Sequence, residues 1–149
     1  WEDSRTSLRT LATIAEQAGV KIAFAPEHSN VVATAAQALL MLAEVDSPAL
    51  GLVYDAANLL DPDGYDPAAA ERAIVADIAK LAPYTLLAHA KELTAGRAPV
   101  PPGAGYLPWP LIVQQLAAAG FDDTLVTHGL AEDEVPEAVS TLRSALAAL

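Results

Sequence analysis

Four side chains able to bind a metal ion or move a proton stand just past short apolar runs of this 149-residue sequence. They are Glu27 after Val20–Ala25, Asp55 after Leu50–Tyr54, His89 after Thr85–Ala88, and His128 after Thr124–Thr127. Each run has the length and composition of a buried strand. In a parallel α/β sheet the carboxyl ends of all strands lie on one side, so these four groups converge although one strand-plus-helix unit separates each from the next. Two carboxylates and two imidazoles suit a borderline divalent ion such as Mn, Co, Zn or Fe better than Ca. Taken singly, an Asp at a strand end is usually a helix cap or turn residue, and a lone His a satisfied polar side chain. As a set they carry more weight, because all three histidines of the chain lie at or next to these strand ends.

The segments between the apolar runs read as helices. Ser4 can cap a helix with Leu8, Leu11, Ile14, Ala15 and Ala18 on one stripe, stopped by Gly19. Thr34 opens a second helix with Ala36, Leu39, Leu40 and Ala43 inward, closed by the turn at Asp46, Ser47 and Pro48. Asp66-Pro67 is a cap followed by proline at the first helical position, and Ile74, Ile78 and Leu81 carry that helix inward as far as Pro83. A long irregular stretch runs from Leu93 to Pro108, after which Pro110 opens a helix that stops at Gly120. Val135, Val139, Leu142 and Leu146 form a closing amphipathic helix. The predicted order is α-(βα)4 in a single domain spanning residues 1–149, with parallel strands and right-handed crossovers. No G-x-G-x-x-G follows any strand, so a dinucleotide-binding open sheet has no support. Four strands are too few to close a barrel, and something must cover the two sheet edges.

Composition narrows the function classes. A net charge of −11, with eight scattered basic residues, argues against nucleic acid and against anionic membranes. Hydrophobic residues make up 53% of the chain, enough for a substantial core, yet no run approaches the ~20 residues of a membrane span. The absence of cysteine removes disulfides, thiolate metal sites and a Cys nucleophile, which fits a cytoplasmic protein. The start at Trp1 lacks both a signal-peptide pattern and an initiator Met, and predicts a processed or truncated boundary.

Several segments carry a family resemblance, in order along nearly the whole chain. Gly19, Val20, Pro26, Glu27, Asn30, Val31 and Val32 resemble a G-V-x-hydrophobic-x-x-E-P-E-x-x-N-V-V pattern. Ser47, Pro48, Leu50, Asp55, Ala57, Asn58 and Leu59 resemble S-P-x-L-x-x-x-x-D-x-A-N-L. His89-Ala90-Lys91-Glu92 is similar to H-A-K-D, the segment from Gly103 to Trp109 to G-x-G-x-x-D-W/F, and Val126 to Leu130 to V-x-H-G-L. The chain thus resembles the C-terminal half of a (β/α)8 TIM barrel of the sugar phosphate isomerase/epimerase, xylose isomerase-like superfamily.

The resemblance implies a divalent metal (Mn, Co, Zn, Fe or Mg) held by Asp55, His89 and His128. It also implies isomerisation or epimerisation of a sugar or polyol, with the metal stabilising a developing enediolate while carboxylates move the proton. Three positions depart from the pattern. A ligand Glu falls on Ala25, the usual last Glu on His128, and the loop Asp on Pro108. Glu27 lies two residues beyond Ala25 and faces the same side if the strand continues, so it stands as a substitute ligand and as a catalytic carboxylate. Lys91 is a second catalytic candidate, able to hold a carboxylate or enolate oxygen, or else a solvated strand-end charge. His28, Asn30 and Asn58 are candidate substrate contacts with turn or cap roles as the alternative. Arg97, in the lid-like loop, would meet an anionic substrate or simply be solvated. The missing strands predict either a homodimer or an absent N-terminal half-barrel. Two other readings stand beside the isomerase: a non-catalytic half-barrel scaffold that self-associates, and a metal-assisted hydrolase or dehydratase relative.

Overall fold

The computed structural model describes residues 1–60, 66–94, 96 and 98–149. Helix α1 (Glu2–Ala18) starts two residues before Ser4, and ends at Gly19, whose positive φ of 66° lets its N–H reach back to the last turn. Strand β1 (Ile22–Phe24) follows, then α2 (Ala35–Val45), where the Thr34 hydroxyl accepts from the Gln37 N–H at 3.2 Å. Strand β2 (Leu50–Tyr54) runs into a short helix, α3 (Ala56–Leu59), capped by Asp55. Helix α4 (Pro67–Leu81) has Asp66 as its cap, and the carboxylate accepts from the Ala68 N–H at 3.1 Å. Next come β3 (Thr85–His89) and a hairpin of β4 (Glu92–Leu93) and β5 (Pro99–Val100), then α5 (Trp109–Ala118), β6 (Leu125–Val126) and α6 (Val135–Leu146).

Strands β1, β2, β3 and β6 form one parallel sheet in that order, as the α-(βα)4 reading requires. β4 and β5 pair antiparallel apart from it, so the stretch read as irregular contains a hairpin. Its strands are two residues each, too short for alternation to show in sequence. Alternation along the main sheet separates its faces. Leu50, Leu52, Tyr54 and Ala88 are buried in the cluster formed with α2, α4 and α5. Gly51, Val53 and Asp55 fall on the opposite face, as do Leu87 and His89 through the pairing of Val53 with Leu87. The β2–β3 register shifts between Leu52 and Val53, and the shift presses β3 against Gly51: a Cβ there would lie 2.5 Å from Leu86 Cγ and 2.7 Å from the Tyr84 carbonyl.

Helix α4 buries Ile74, Ile78 and Leu81 as read from its spacing. The faces of α1 and α2 need correction. α1 buries Ala12 and Ala15 against α2 and leaves Leu11 and Ile14 exposed, while α2 buries Ala35, Ala38, Met41, Leu42 and Val45 and leaves Ala36, Leu40 and Ala43 exposed. α2 is apolar nearly all round, so spacing alone does not choose a face. α6 shows the same displacement, burying Ala138, Leu142 and Ala145 but exposing Val135 and Leu146.

Candidate metal centre

Asp55 sits where β2 stops and α3 begins, and its two carboxylate oxygens have different fates. Oδ1 caps α3, accepting from the Asn58 N–H at 3.2 Å. Oδ2 is buried with no hydrogen-bond partner among the described residues, on a residue only 1% exposed. A buried carboxylate oxygen without a donor is costly unless a cation or proton supplies the missing contact. Burial accordingly pushes the Asp55 pKa up to about 6, against the opposing pull of the Lys91 charge and the α3 backbone hydrogen bonds.

His89, the last residue of β3, brings Nδ1 to 3.6 Å from Asp55 Oδ2. His128, two residues past β6, meets the His89 ring edge-on with centroids 4.4 Å apart. Burial, then the neighbouring His128 and Lys91, lower the His89 pKa, which favours the neutral ring a metal needs. One ligand atom from each of Asp55, His89 and His128 lies within 4.8 Å of the others. The donors fit a divalent ion on the evidence of the orphaned Oδ2 and the two convergent imidazoles. Three residues more than thirty positions apart meet because parallel β2, β3 and β6 are neighbours and all three end on the same rim.

The remaining sequence candidates fall into distinct places. Lys91 donates to Asn58 Oδ1 at 2.6 Å and lies 3.8 Å from Glu27 Oε1, so Glu27, Asn58 and Lys91 form a polar group beside the three ligands. Glu27 lies outside the ligand group; β1 ends at Phe24, and the Glu27 N–H and C=O are taken up by Val32 and Asn30 in a turn. His28 Nε2 bonds the Leu60 carbonyl, tying the β1–α2 loop to the end of α3. Asn30 donates to the Ala25 carbonyl at 3.3 Å and lines a groove of about 580 Å³ between α1 and the end of β1. Arg97 lies outside the described residues.

Sequence reasoning passed over the role of Glu92. It is 1% exposed, and its carboxylate accepts from the N–H groups of Leu93, Tyr106 and Leu107 at 3.0, 3.2 and 3.1 Å and from the Trp109 indole at 2.8 Å. The Gly103 N–H reaches it at 3.5 Å. Glu92 therefore fastens the 103–109 loop to the rim, one residue from Lys91. The signal was present: a loop outside regular structure has backbone N–H groups that need partners, and an acidic residue sits beside the Lys91 it was read with.

Comparison with known proteins matches this arrangement to half of a TIM barrel. A profile of the xylose isomerase-like TIM barrel family matches residues 1–146. The chain belongs to that family. No curated protein sequence is detectably similar to it. Among solved structures, the D-psicose 3-epimerase of Clostridium cellulolyticum H10, bound to D-tagatose, is 22% identical with a TM-score of 0.74, over 98% of this chain and 56% of that one. A xylose isomerase-like TIM barrel protein of Mycobacterium smegmatis, in complex with magnesium, is 20% identical with a TM-score of 0.71, over 97% and 51%. The IOLI protein with a bound zinc atom is 21% identical with a TM-score of 0.70, over 97% and 54%. At these identities the likeness establishes the fold, and the chain spans about half the length of each. This xylose isomerase-like half-barrel has no helix, among the described residues, long and apolar enough to cross a membrane.

Proposed function

We propose that this chain forms the metal-binding half of an isomerase- or epimerase-type site acting on a sugar-like polyol that carries a carbonyl. The observation that carries the reading is the buried, unpartnered Asp55 Oδ2 beside two converging imidazoles. Asp55, His89 and His128 would hold the ion. When bound, the ion polarises a substrate carbonyl and a neighbouring hydroxyl.

The chain's own residues supply the rest. Lys91, kept in place by Asn58, offers an ammonium to a substrate oxygen. Glu27, 3.8 Å from that ammonium, takes the role of the carboxylate that moves a proton at the adjacent carbon. Zinc- and magnesium-bound structures of the same fold support a divalent ion without choosing between them. One feature favours a second reading, a non-catalytic scaffold: Ala25, where the family resemblance puts a ligand Glu, can neither bind metal nor accept a proton.

Metal content of protein purified without chelator separates the two. The isomerase reading expects about one divalent ion per chain, lost in both Asp55→Ala and His89→Ala. It further expects solvent deuterium to enter ketohexoses at the carbon beside the carbonyl, and Glu27→Gln to slow this by ~10²-fold or more. A metal-free protein would leave the scaffold.

A further inference from the structure

We propose that His28 is a positioning residue: its bond to the Leu60 carbonyl keeps the Glu27 carboxylate at the Lys91 ammonium. The inference deepens the isomerase reading and rests on it for the effect on the reaction. The tether itself is tested without metal or substrate.

The chain leaves Glu27 in need of a hold. β1 ends at Phe24, so no ladder bond fixes the backbone that carries the carboxylate three residues on. The Glu27 N–H donates to the Val32 carbonyl at 3.0 Å, and the Glu27 carbonyl accepts from the Asn30 N–H at 2.8 Å. The Asn30 amide donates to the Ala25 carbonyl at 3.3 Å. These bonds give the loop a shape without joining it to the neighbouring strands. The Glu27 side chain is 40% exposed, and an ion pair that open to water holds little by itself. Among the described residues, one hydrogen bond leaves residues 25–33 for an element other than α2: His28 Nε2–H donates to the Leu60 carbonyl.

Leu60 is a firm point of attachment. It is buried, and its N–H donates to the Ala56 carbonyl at 3.2 Å to close α3. The same four-residue helix carries Asn58, whose Oδ1 accepts from Lys91 at 2.6 Å. One element therefore braces both members of the pair, Lys91 through Asn58 and the Glu27 backbone through the residue next to it. Glu27 Oε1 then lies 3.8 Å from Lys91 Nζ. A group that moves a proton acts only within hydrogen-bond reach of it, and misplacing a catalytic group by ~1 Å can cost ~10²-fold. Without the His28 bond the loop keeps its internal turn but is free to carry Glu27 away from the rim.

Zero-length cross-linking of the 149-residue chain reads the pairing directly. A water-soluble carbodiimide activates the Glu27 carboxyl as an O-acylurea, the deprotonated Lys91 amine attacks its carbonyl carbon, and the substituted urea leaves. An amide bond forms, the protein loses one water in total, and peptide mass mapping locates the link. The wild type is expected to give a Glu27–Lys91 link that Glu27→Gln and Lys91→Arg abolish. His28→Phe keeps a ring but removes the donor, and should lower the yield about fivefold, the factor that a net hydrogen-bond contribution of about 1 kcal/mol corresponds to. His28→Ala gives the same loss if the phenyl ring does not fit. His28→Gln restores a donor and should return the yield to within about twofold of wild type. In the Mn(II)-loaded chain supplied with D-tagatose, His28→Phe should lower kcat for deuterium exchange about tenfold and leave KM within about twofold, since positioning is lost rather than binding. A link that does not form in the wild type, forms equally in His28→Phe, or is not restored by His28→Gln would overturn the proposal. So would exchange at the wild-type rate in a variant that has lost the link. A wild type that exchanges no deuterium yet shows the His28-dependent link removes the isomerase reading and leaves the tether standing.

Discussion

Burial of the Asp55 carboxyl, with Oδ2 facing His89 and no hydrogen-bond partner among the described residues, shifts its titration towards the neutral acid in the metal-free fold. Its folded pKa of about 6 lies above the ordinary 3.8, so its contribution to stability is complete below the lower value and is lost as pH rises through the higher one. By linkage the rise from 3.8 to about 6 corresponds to about 3 kcal/mol. His89 works in the opposite sense, since burial lowers its pKa and protonation at low pH costs stability. Asp55→Asn isolates the carboxyl, because asparagine still caps α3. In urea denaturation with chelator present, Asp55→Asn should exceed the wild type at pH 8 by up to about 3 kcal/mol, and the gap should close by pH 4. A gap that does not change with pH would mean that Oδ2 is solvated. The same variant should lose the metal, so the residue trades stability for binding, as site residues commonly do. Asp55, His89 and His128 were legible in the sequence because β2, β3 and β6 end on the rim at these residues or within two positions before them. The orphaned oxygen was not, since spacing places residues but does not partition their hydrogen bonds.

Glu92 organises an element rather than a reaction. A loop of irregular backbone needs acceptors for its N–H groups, and one carboxylate accepts from the backbone N–H groups of Leu93, Tyr106 and Leu107 and from the Trp109 indole. Glu92→Gln turns an all-acceptor group into one that points an amide N–H at other donors, and is expected to cost about 3 kcal/mol, with Trp109 fluorescence shifting because its indole loses a partner. Gly105 belongs to the same construction: a Cβ there would sit 2.5 Å from Glu92 Oε1 and against the Leu93 carbonyl, so Gly105→Ala should destabilise through that clash. Native thermal stability and fluorescence equal to wild type in both variants would show that the loop is held by other contacts. Local chemistry explains which elements sequence revealed. Thr34 and Asp66-Pro67 announce their helices through caps that the structure reproduces, and Gly19 ends α1 in the left-handed conformation it alone adopts cheaply. The hairpin and α3 escaped because two- and four-residue elements are fixed by Glu92, Asp55 and tertiary contact, not by any repeat in the chain.

At the scale of the molecule, a parallel sheet of four strands has two flanks where a closed barrel has none. Among the described residues β1 and β6 each pair with one neighbour, and the helix beside β1 keeps two large apolar side chains outside: Leu11 is 51% and Ile14 56% exposed. The misread face of α1 is therefore informative. The stripe of Leu8, Leu11 and Ile14 is coherent in sequence, yet Leu8 packs against the core beside buried Ala12 while Leu11 and Ile14 stay outside. An unpaired edge adjoining an apolar helix face is a surface that associates. For the 149-residue chain the expected occupant is a second copy, so sedimentation should show a concentration-dependent dimer, and Leu11→Asp with Ile14→Asp should shift it towards ~15 kDa particles. Exposed positions outside the core tolerate substitution within about 0.5 kcal/mol, so the urea midpoint of that variant at low protein concentration should match the wild type. A loss of association with unchanged stability assigns the interface to α1. A wild type that sediments as a monomer at all concentrations removes the second copy.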